Sequence, residues 1–242
     1  MIGILYICTG KYDLFWKDFY LSAEKFFVPS HEKTYFVFTD AEEIYAEDNP
    51  HVKKIYQKPL SWPYSTLMRY EMFSNIRSQL EECEYIFFFN ANIIFLDQID
   101  DYILPDDDYD GLVAVIHPFF WDKPMVYGFS YERDKRSTAA IEWGDGKFYV
   151  LGGINGGKKD AYLQLIDTIK KNIEIDLKND IIALWHDESH FNRYILDKNP
   201  LILNPSFGYP EEYNLPFTPI ISIIDKSTYG GQDFLREQAP AE

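Results

Sequence analysis

Tyr85-Ile86-Phe87-Phe88-Phe89-Asn90-Ala91-Asn92-Ile93-Ile94-Phe95 is an apolar run that stops on two amides and then resumes. The aromatic and β-branched residues of 85–89 fit a strand covered on both faces, as the strands of a parallel sheet are. Side chains at i and i+2 of an extended chain point the same way, so this strand is expected to carry Asn90 and Asn92 together to one sheet edge. Neutral amides are poor partners for Mg²⁺ or Mn²⁺, hard ions that take anionic oxygen. They do donate hydrogen bonds to phosphate or sugar oxygens.

Outward from this run, the pattern alternates. Strands are predicted over 2–8, 34–39, 112–116 and 147–151. Helices are predicted over 13–27, where Phe15, Phe19, Ser22 and Phe26 share a face, over 66–82 through Leu67, Tyr70, Phe73, Ile76 and Leu80, and over 159–172. Gly152-Gly153 and Gly156-Gly157 read as a turn into the last of these. The β-α-β order predicts an α/β fold with a Rossmann-like, mostly parallel central sheet flanked by helices, in a single domain spanning 1–242. Such sheets bind ligands beyond the carboxyl ends of their strands, which singles out 9–12, 90–92 and 151–157.

Composition narrows the function. The 242 residues are 46 % hydrophobic and 18 % aromatic, with 19 Tyr and 19 Phe, and aromatic rings stack well on the apolar faces of sugars. A formal charge of −16 argues against sequence-independent nucleic-acid binding, which needs Lys and Arg to displace counterions. Any diphosphate ligand then requires a local cationic pocket. Cys8 and Cys83 are too few for a disulfide framework or a zinc site. The N-terminal apolar run has no basic region before it and reads as a first strand rather than a signal peptide, and no stretch approaches a membrane span. A cytoplasmic protein is expected.

The second dense feature is Trp185-His186-Asp187-Glu188-Ser189-His190. It lacks the spacing that puts two imidazoles on one helical face for zinc, and its plainer reading is a helix start capped by Asp187. Together with Lys11-Tyr12, Ala23-Glu24-Lys25, Tyr35 to Asp40, Trp62-Pro63, Arg69, Asn90-Ala91-Asn92, His117-Pro118, Tyr131-Glu132-Arg133 and Leu151-Gly152-Gly153, it resembles, in order, the pattern of glycosyltransferase family 6, and bacterial members in particular. That family includes the histo-blood-group A and B transferases.

The resemblance implies a GT-A fold and retaining transfer of N-acetylgalactosamine or galactose from UDP-GalNAc or UDP-Gal to O3 of a fucosylated galactoside. Mammalian relatives carry Asp-x-Asp and use manganese. The Asn-x-Asn here implies that no metal or other cofactor is needed. Carried over by position, Ile7, Thr9 and Tyr12 would form the uracil pocket, Arg69 would approach the diphosphate, and Asn90 and Asn92 would contact ribose, diphosphate or donor sugar. Lys226 and Arg236 would close over the phosphates from a 225–242 lid whose end, 237–242, is expected to fray. Glu188 would sit under the anomeric carbon as nucleophile or stabiliser, and would also touch the acceptor. Asp187 would bind donor hydroxyls, while His117, Ser130 and Trp185 would hold the acceptor. Leu151, Gly152 and Gly153 would meet the donor C2 substituent, with Gly153 leaving room for an acetamido group and so favouring UDP-GalNAc over UDP-Gal. A silent sugar-binding module and a hydrolase using Asp187 and Glu188 are the competing classes.

Overall fold

A computed structural model describes residues 1–123 and 128–236; the tail 237–242, expected to fray, lies outside the described residues. From the N-terminus, β1 (Ile2–Ile7) leads through a 3₁₀ turn over Gly10–Phe15 into α1 (Trp16–Phe26), then β2 (Lys33–Thr39) and β3 (Val52–Tyr56). Three short helices follow, α2 (Tyr64–Leu67), α3 (Arg69–Ser74) and α4 (Arg77–Leu80), before β4 (Tyr85–Phe89), β5 (Ile93–Phe95) and β6 (Leu112–Ile116). The second half holds β7 (Val150–Lys158), α5 (Lys159–Lys178), α6 (His186–Ile195), β8 (Leu201–Leu203), β9 (Tyr209–Pro210), β10 (Ile221–Ile223) and α7 (Gly231–Arg236).

The central sheet has seven strands in the order β3-β2-β1-β4-β7-β6-β8, and only β7 runs against the others. β4 lies in the middle, and its alternation explains the unbroken apolar run. Phe87 and Phe89 pack with Phe19 and Phe27 on one face, whereas Ile86 and Phe88 pack with Phe73 and Ile166 on the other. Both faces are dry, so every position of the strand favours an apolar side chain. β5, β10 and β9 form a separate three-stranded sheet. Among the described residues, no helix is long and apolar enough to cross a membrane.

Several sequence expectations need correction. The 13–27 helix opens as a 3₁₀ turn, and the 66–82 helix is three pieces. The glycine run is not a turn: Gly152, Gly153, Gly156 and Gly157 all lie within β7. Neighbours occupy the space their side chains would take, since a Cβ at Gly156 would overlap the Phe87 ring and one at Gly157 the Gly111 carbonyl. Because β7 is reversed, its amino end, not its carboxyl end, lies beside Asn90: the Asn90 N–H donates to the Gly153 carbonyl at 2.8 Å. The Asn90–Asn92 stretch itself lies between strands, so the two side chains do not point the same way.

Candidate active site

At the carboxyl ends of β1 and β4 a cleft open to solvent is lined by Ile7, Thr9, Tyr12, Arg69, Asn90, Asn92, Lys226 and Arg236. These eight residues, scattered from position 7 to 236, are among those expected to face the donor; Leu151, Gly152, Gly153 and Asp187, also expected there, are not in the lining. Gly10 shapes the first wall by turning the chain at φ +62° and donating its N–H to Asp40 Oδ1 at 2.7 Å, a conformation glycine adopts without strain. Ala91 lies between the two amides, and Pro59, Leu60, Ser65, Thr66 and Phe88 complete the lining; sequence reasoning assigned these five no part in it, and none carries a chemical signature.

The C-terminal segment is held over this cleft by identifiable contacts. Asn92 Nδ2 donates to the Ile224 carbonyl at 2.8 Å, and the Ile224 N–H returns a bond to the Asn92 carbonyl at 2.8 Å. Two residues further, Lys226 Nζ lies 5.4 Å from the centroid of the Tyr12 ring. Tyr229 packs on Phe15 at 4.7 Å, and Arg236 reaches the Tyr12 phenol. Burial, and then the charges of Arg236 and Arg69, push the Lys226 ammonium down to about 8. Cations crowded against one another in this way form a place for an anion.

Arg69 joins this cation-lined wall to the opposite one. Its Nη2 donates to Asn90 Oδ1 at 3.3 Å, and its Nη1 donates to the Gly152 carbonyl at 3.2 Å and lies 2.8 Å from Asp187 Oδ2. The guanidinium rests 4.5 Å over the Phe88 ring. Asn90 and Asn92 thus diverge, one towards Arg69 and the other towards the C-terminal segment.

The opposite wall is the start of α6 against β7. The helix begins two residues earlier than a cap at Asp187 implies, at His186, whose φ of +52° is a costly conformation for a non-glycine residue. Trp62 packs edge-on to its ring at 5.1 Å, and Thr66 Oγ1 lies 3.4 Å from Nδ1. The Trp185 N–H donates to Ser189 Oγ at 2.9 Å. Asn192 then ties the helix to the strand, accepting from the Val150 N–H at 3.0 Å and donating to the Val150 carbonyl at 2.9 Å. This entry brings Asp187 and Glu188 against β7.

Glu188 is gripped at both oxygens: the Tyr149 hydroxyl donates to Oε1 at 2.8 Å, and the Gly152 N–H donates to Oε2 at 2.8 Å. Each oxygen keeps a lone pair for another partner. Burial pushes the Glu188 carboxyl up to about 7 despite these two bonds, and pushes Asp187 up to about 6 despite the Arg69 charge beside it. Burial and the Glu188 charge raise Tyr149 well above the usual phenol range, so it remains a donor.

Tyr149 also connects the carboxylate to the expected acceptor residues. The His117 ring lies 5.6 Å from it, and burial lowers the imidazole to about 4, leaving it neutral near pH 7. Its Nδ1 accepts from the Phe119 N–H at 3.2 Å, which places the ring proton on Nε2. Ser130 lies between Phe129 and Tyr131, which pack on Tyr149 at 6.3 and 5.5 Å. Trp185 is half exposed at the helix entry. Sequence reasoning assigned no part in the site to Tyr149, which bonds Glu188, or to Asn192, which ties α6 to β7. Asn192 lies four residues beyond Glu188, the spacing that shares a helix face, and this was the one available signal.

Two further expectations change in detail. The room attributed to Gly153 is already filled, because a Cβ there would overlap the Asn90 carboxamide. Leu151, beside it, packs against the core. A Cβ on Gly152 would come within 2.9 Å of Glu188 Cβ, so this glycine admits the carboxylate itself.

A family model described as Glycosyltransferase family 6 matches residues 1–227. The O-antigen biosynthesis glycosyltransferase WbnI of Escherichia coli is 36 % identical over 213 residues, covering 88 % of this chain and 89 % of that protein. Histo-blood group ABO system transferase 2 of Rattus norvegicus is 30 % identical over 223 residues, and Globoside alpha-1,3-N-acetylgalactosaminyltransferase 1 of Homo sapiens 29 % identical over 236 residues. These alignments cover 87 and 94 % of this chain but only 64 and 65 % of the mammalian proteins. The mixed sheet with helices on both faces is of the GT-A type. By fold, motif order and similarity over nearly its whole length, the chain belongs to glycosyltransferase family 6.

Proposed function

We propose that this glycosyltransferase is a retaining, metal-independent α-1,3-N-acetylgalactosaminyltransferase that moves GalNAc from UDP-GalNAc to the galactose O3 of a fucosylated acceptor. The observation that carries the reading is the doubly gripped Glu188 carboxylate, which stands across Arg69 from a cation-lined cleft. A retaining transfer needs an anionic oxygen under the anomeric carbon, and the Tyr149 and Gly152 donors hold Glu188 for that task. UDP departs as an anion without needing a proton, so a second carboxyl is unnecessary. Its developing charge falls to Arg69, Lys226 and Arg236. Neutral His117 donates from Nε2 to an acceptor hydroxyl, with Ser130 and Trp185 beside it, and Asp187 orients Arg69 as well as meeting donor hydroxyls.

A divalent ion, which the mammalian pattern implies, finds a poor donor set here. Asn90 Oδ1 already faces the Arg69 guanidinium, the Asn92 amide is engaged with Ile224, and no group of three or more His, Cys, Asp or Glu gathers among the described residues. Lys226 and Arg236 belong, in this reading, to a 225–242 lid of a single catalytic domain, and truncation at Asp225 is expected to weaken UDP binding. The buried free thiols of Cys8 and Cys83 support work in the reducing cytoplasm.

UDP-Gal on the same acceptor is the second reading. The Asn90 carboxamide in the space beside Gly153 favours it, since a 2-hydroxyl is smaller than an acetamido group. Incubation of each UDP-sugar with 2′-fucosyllactose in EDTA tests both. Trisaccharide extension with UDP release is expected, faster from UDP-GalNAc. Extension only after manganese is added overturns metal independence, and preference for UDP-Gal overturns the donor assignment. Sugar binding without UDP release overturns transfer altogether.

A further inference from the structure

The proposed reaction leaves unused a buried carboxylate, Glu132, on the segment that carries Ser130 and Tyr131. It is 8 % exposed and, among the described residues, its carboxylate bonds to backbone N–H groups. Oε1 accepts from the Arg133 and Asp134 N–H groups, both at 2.7 Å, and Oε2 accepts from the Leu184 N–H at 2.6 Å. The first two bonds are local. The third crosses 52 positions of sequence to the residue immediately before Trp185.

We propose that Glu132 is a positioning residue for the acceptor, clamping the 128–133 segment to the entry of α6 and so setting the distance between the Tyr131–Tyr149 wall and Trp185. The inference rests on the transferase reading above. Trp185 is half exposed and packs into neither core face, so its place depends on the backbone on either side of it. The N–H of Trp185 itself is held by Ser189 Oγ, and that of the residue before it by Glu132. The donor side is built without this clamp, since Arg69, Asn90 and Lys226 make none of their contacts to it.

The same segment has a second anchor that serves as a control. Ser137 Oγ donates to Asp176 Oδ2 at 2.5 Å and the Thr138 N–H donates to Asp176 Oδ1 at 2.8 Å, tying the segment to α5 without a bond to Leu184 or Trp185. Ser137, at 5 % exposure, is as deeply buried as Glu132. If Glu132 only holds the fold, loss of either anchor should look alike. If it positions the acceptor, the two should separate.

Glu132→Gln puts an NH₂ group where a backbone N–H needs an acceptor. Glu132→Asp keeps the charge but shortens the reach to Leu184. Both variants are expected to raise KM for 2′-fucosyllactose about tenfold, the effect of roughly one net hydrogen bond to a charged group, with KM for the UDP-sugar and its slow acceptor-free hydrolysis within about twofold of the parent. Ser137→Ala should lower the melting temperature and leave acceptor KM unchanged. Amide exchange across Leu184–His186, read by mass spectrometry, should quicken in Glu132→Gln and not in Ser137→Ala. This readout stands even if the wild-type chain fails to extend the acceptor, an outcome that removes the transferase reading instead. Unchanged exchange at Leu184 in both Glu132 variants, or parallel changes in every kinetic constant matched by Ser137→Ala, overturns the proposal.

Discussion

Along the ends of β1 and β4 the cleft presents neutral amides and cations, Asn90, Asn92, Arg69, Lys226 and Arg236, whereas the facing β7–α6 wall presents two carboxylates raised by burial, Asp187 and Glu188. The first wall keeps positive charge where the protein as a whole is strongly negative. The second keeps negative charge where there is little water to solvate it. The contrast teaches that net charge says nothing about a site, because field strength there depends on a few fixed groups in a low-dielectric setting. Arg69 touches both walls and is the residue through which each stabilises the other.

The carboxylate wall is the more expensive to disturb chemically. Glu188→Gln is expected to lower kcat about 10³-fold, the scale of losing a main electrostatic group at a reacting centre, measured as UDP release with saturating substrates. The same change should help the fold at high pH. A carboxyl raised to about 7 in the folded state contributes stability that is complete below its unfolded value and lost as pH rises through 7. The variant should therefore gain on the parent in melting temperature between pH 5 and 8, and a constant difference across that range would count against the buried charge.

Cutting the bridge between the walls comes next. Arg69→Ala leaves the buried Asp187 carboxylate without its cation, which should cost about 3–5 kcal/mol in denaturant titration. Loss below about 1 kcal/mol would mean that the walls stand independently.

Gly153→Ala tests where the two walls meet. The added Cβ must displace the Asn90 carboxamide, so kcat/KM should fall for UDP-GalNAc and UDP-Gal alike, by about 10- to 100-fold, the scale of misplacing a contact near the reacting centre. A changed donor ratio with little loss of rate would instead restore the view of Gly153 as open room for a substituent.

The smallest expected effect needs no mutation. With Glu188 raised to about 7 by burial, kcat/KM should climb about tenfold from pH 6 to pH 8 as the carboxylate ionises. A flat profile would place the working carboxylate in ordinary solvent and dissolve the contrast between the walls.

Much of this protein was legible before its fold. The run at 85–89 declared a doubly covered central strand because both of its faces had to be apolar, and the density of indole, imidazole and carboxylate at 185–190 singled out the segment that the fold sets against β7. Eight of the residues expected at the donor line one cleft, whereas Leu151, Gly152, Gly153 and Asp187 are not among its lining. The glycines of 152–157 were misread because their reason is not local: the space beside each is filled by Phe87, Asn90, Glu188 or Gly111 from other parts of the chain. Tyr149 escaped notice for the same cause, and Glu132 counted only as part of the Tyr131-Glu132-Arg133 motif, since each meets its partner, 39 or 52 positions away, only in the folded chain. Periodicity and composition set what each segment must bury, because that depends on near neighbours along the chain. Strand direction, the register that puts Asn90 beside Gly153, and the desolvation that raises Glu188 are properties of surroundings assembled from distant residues, and only the folded chain decides them.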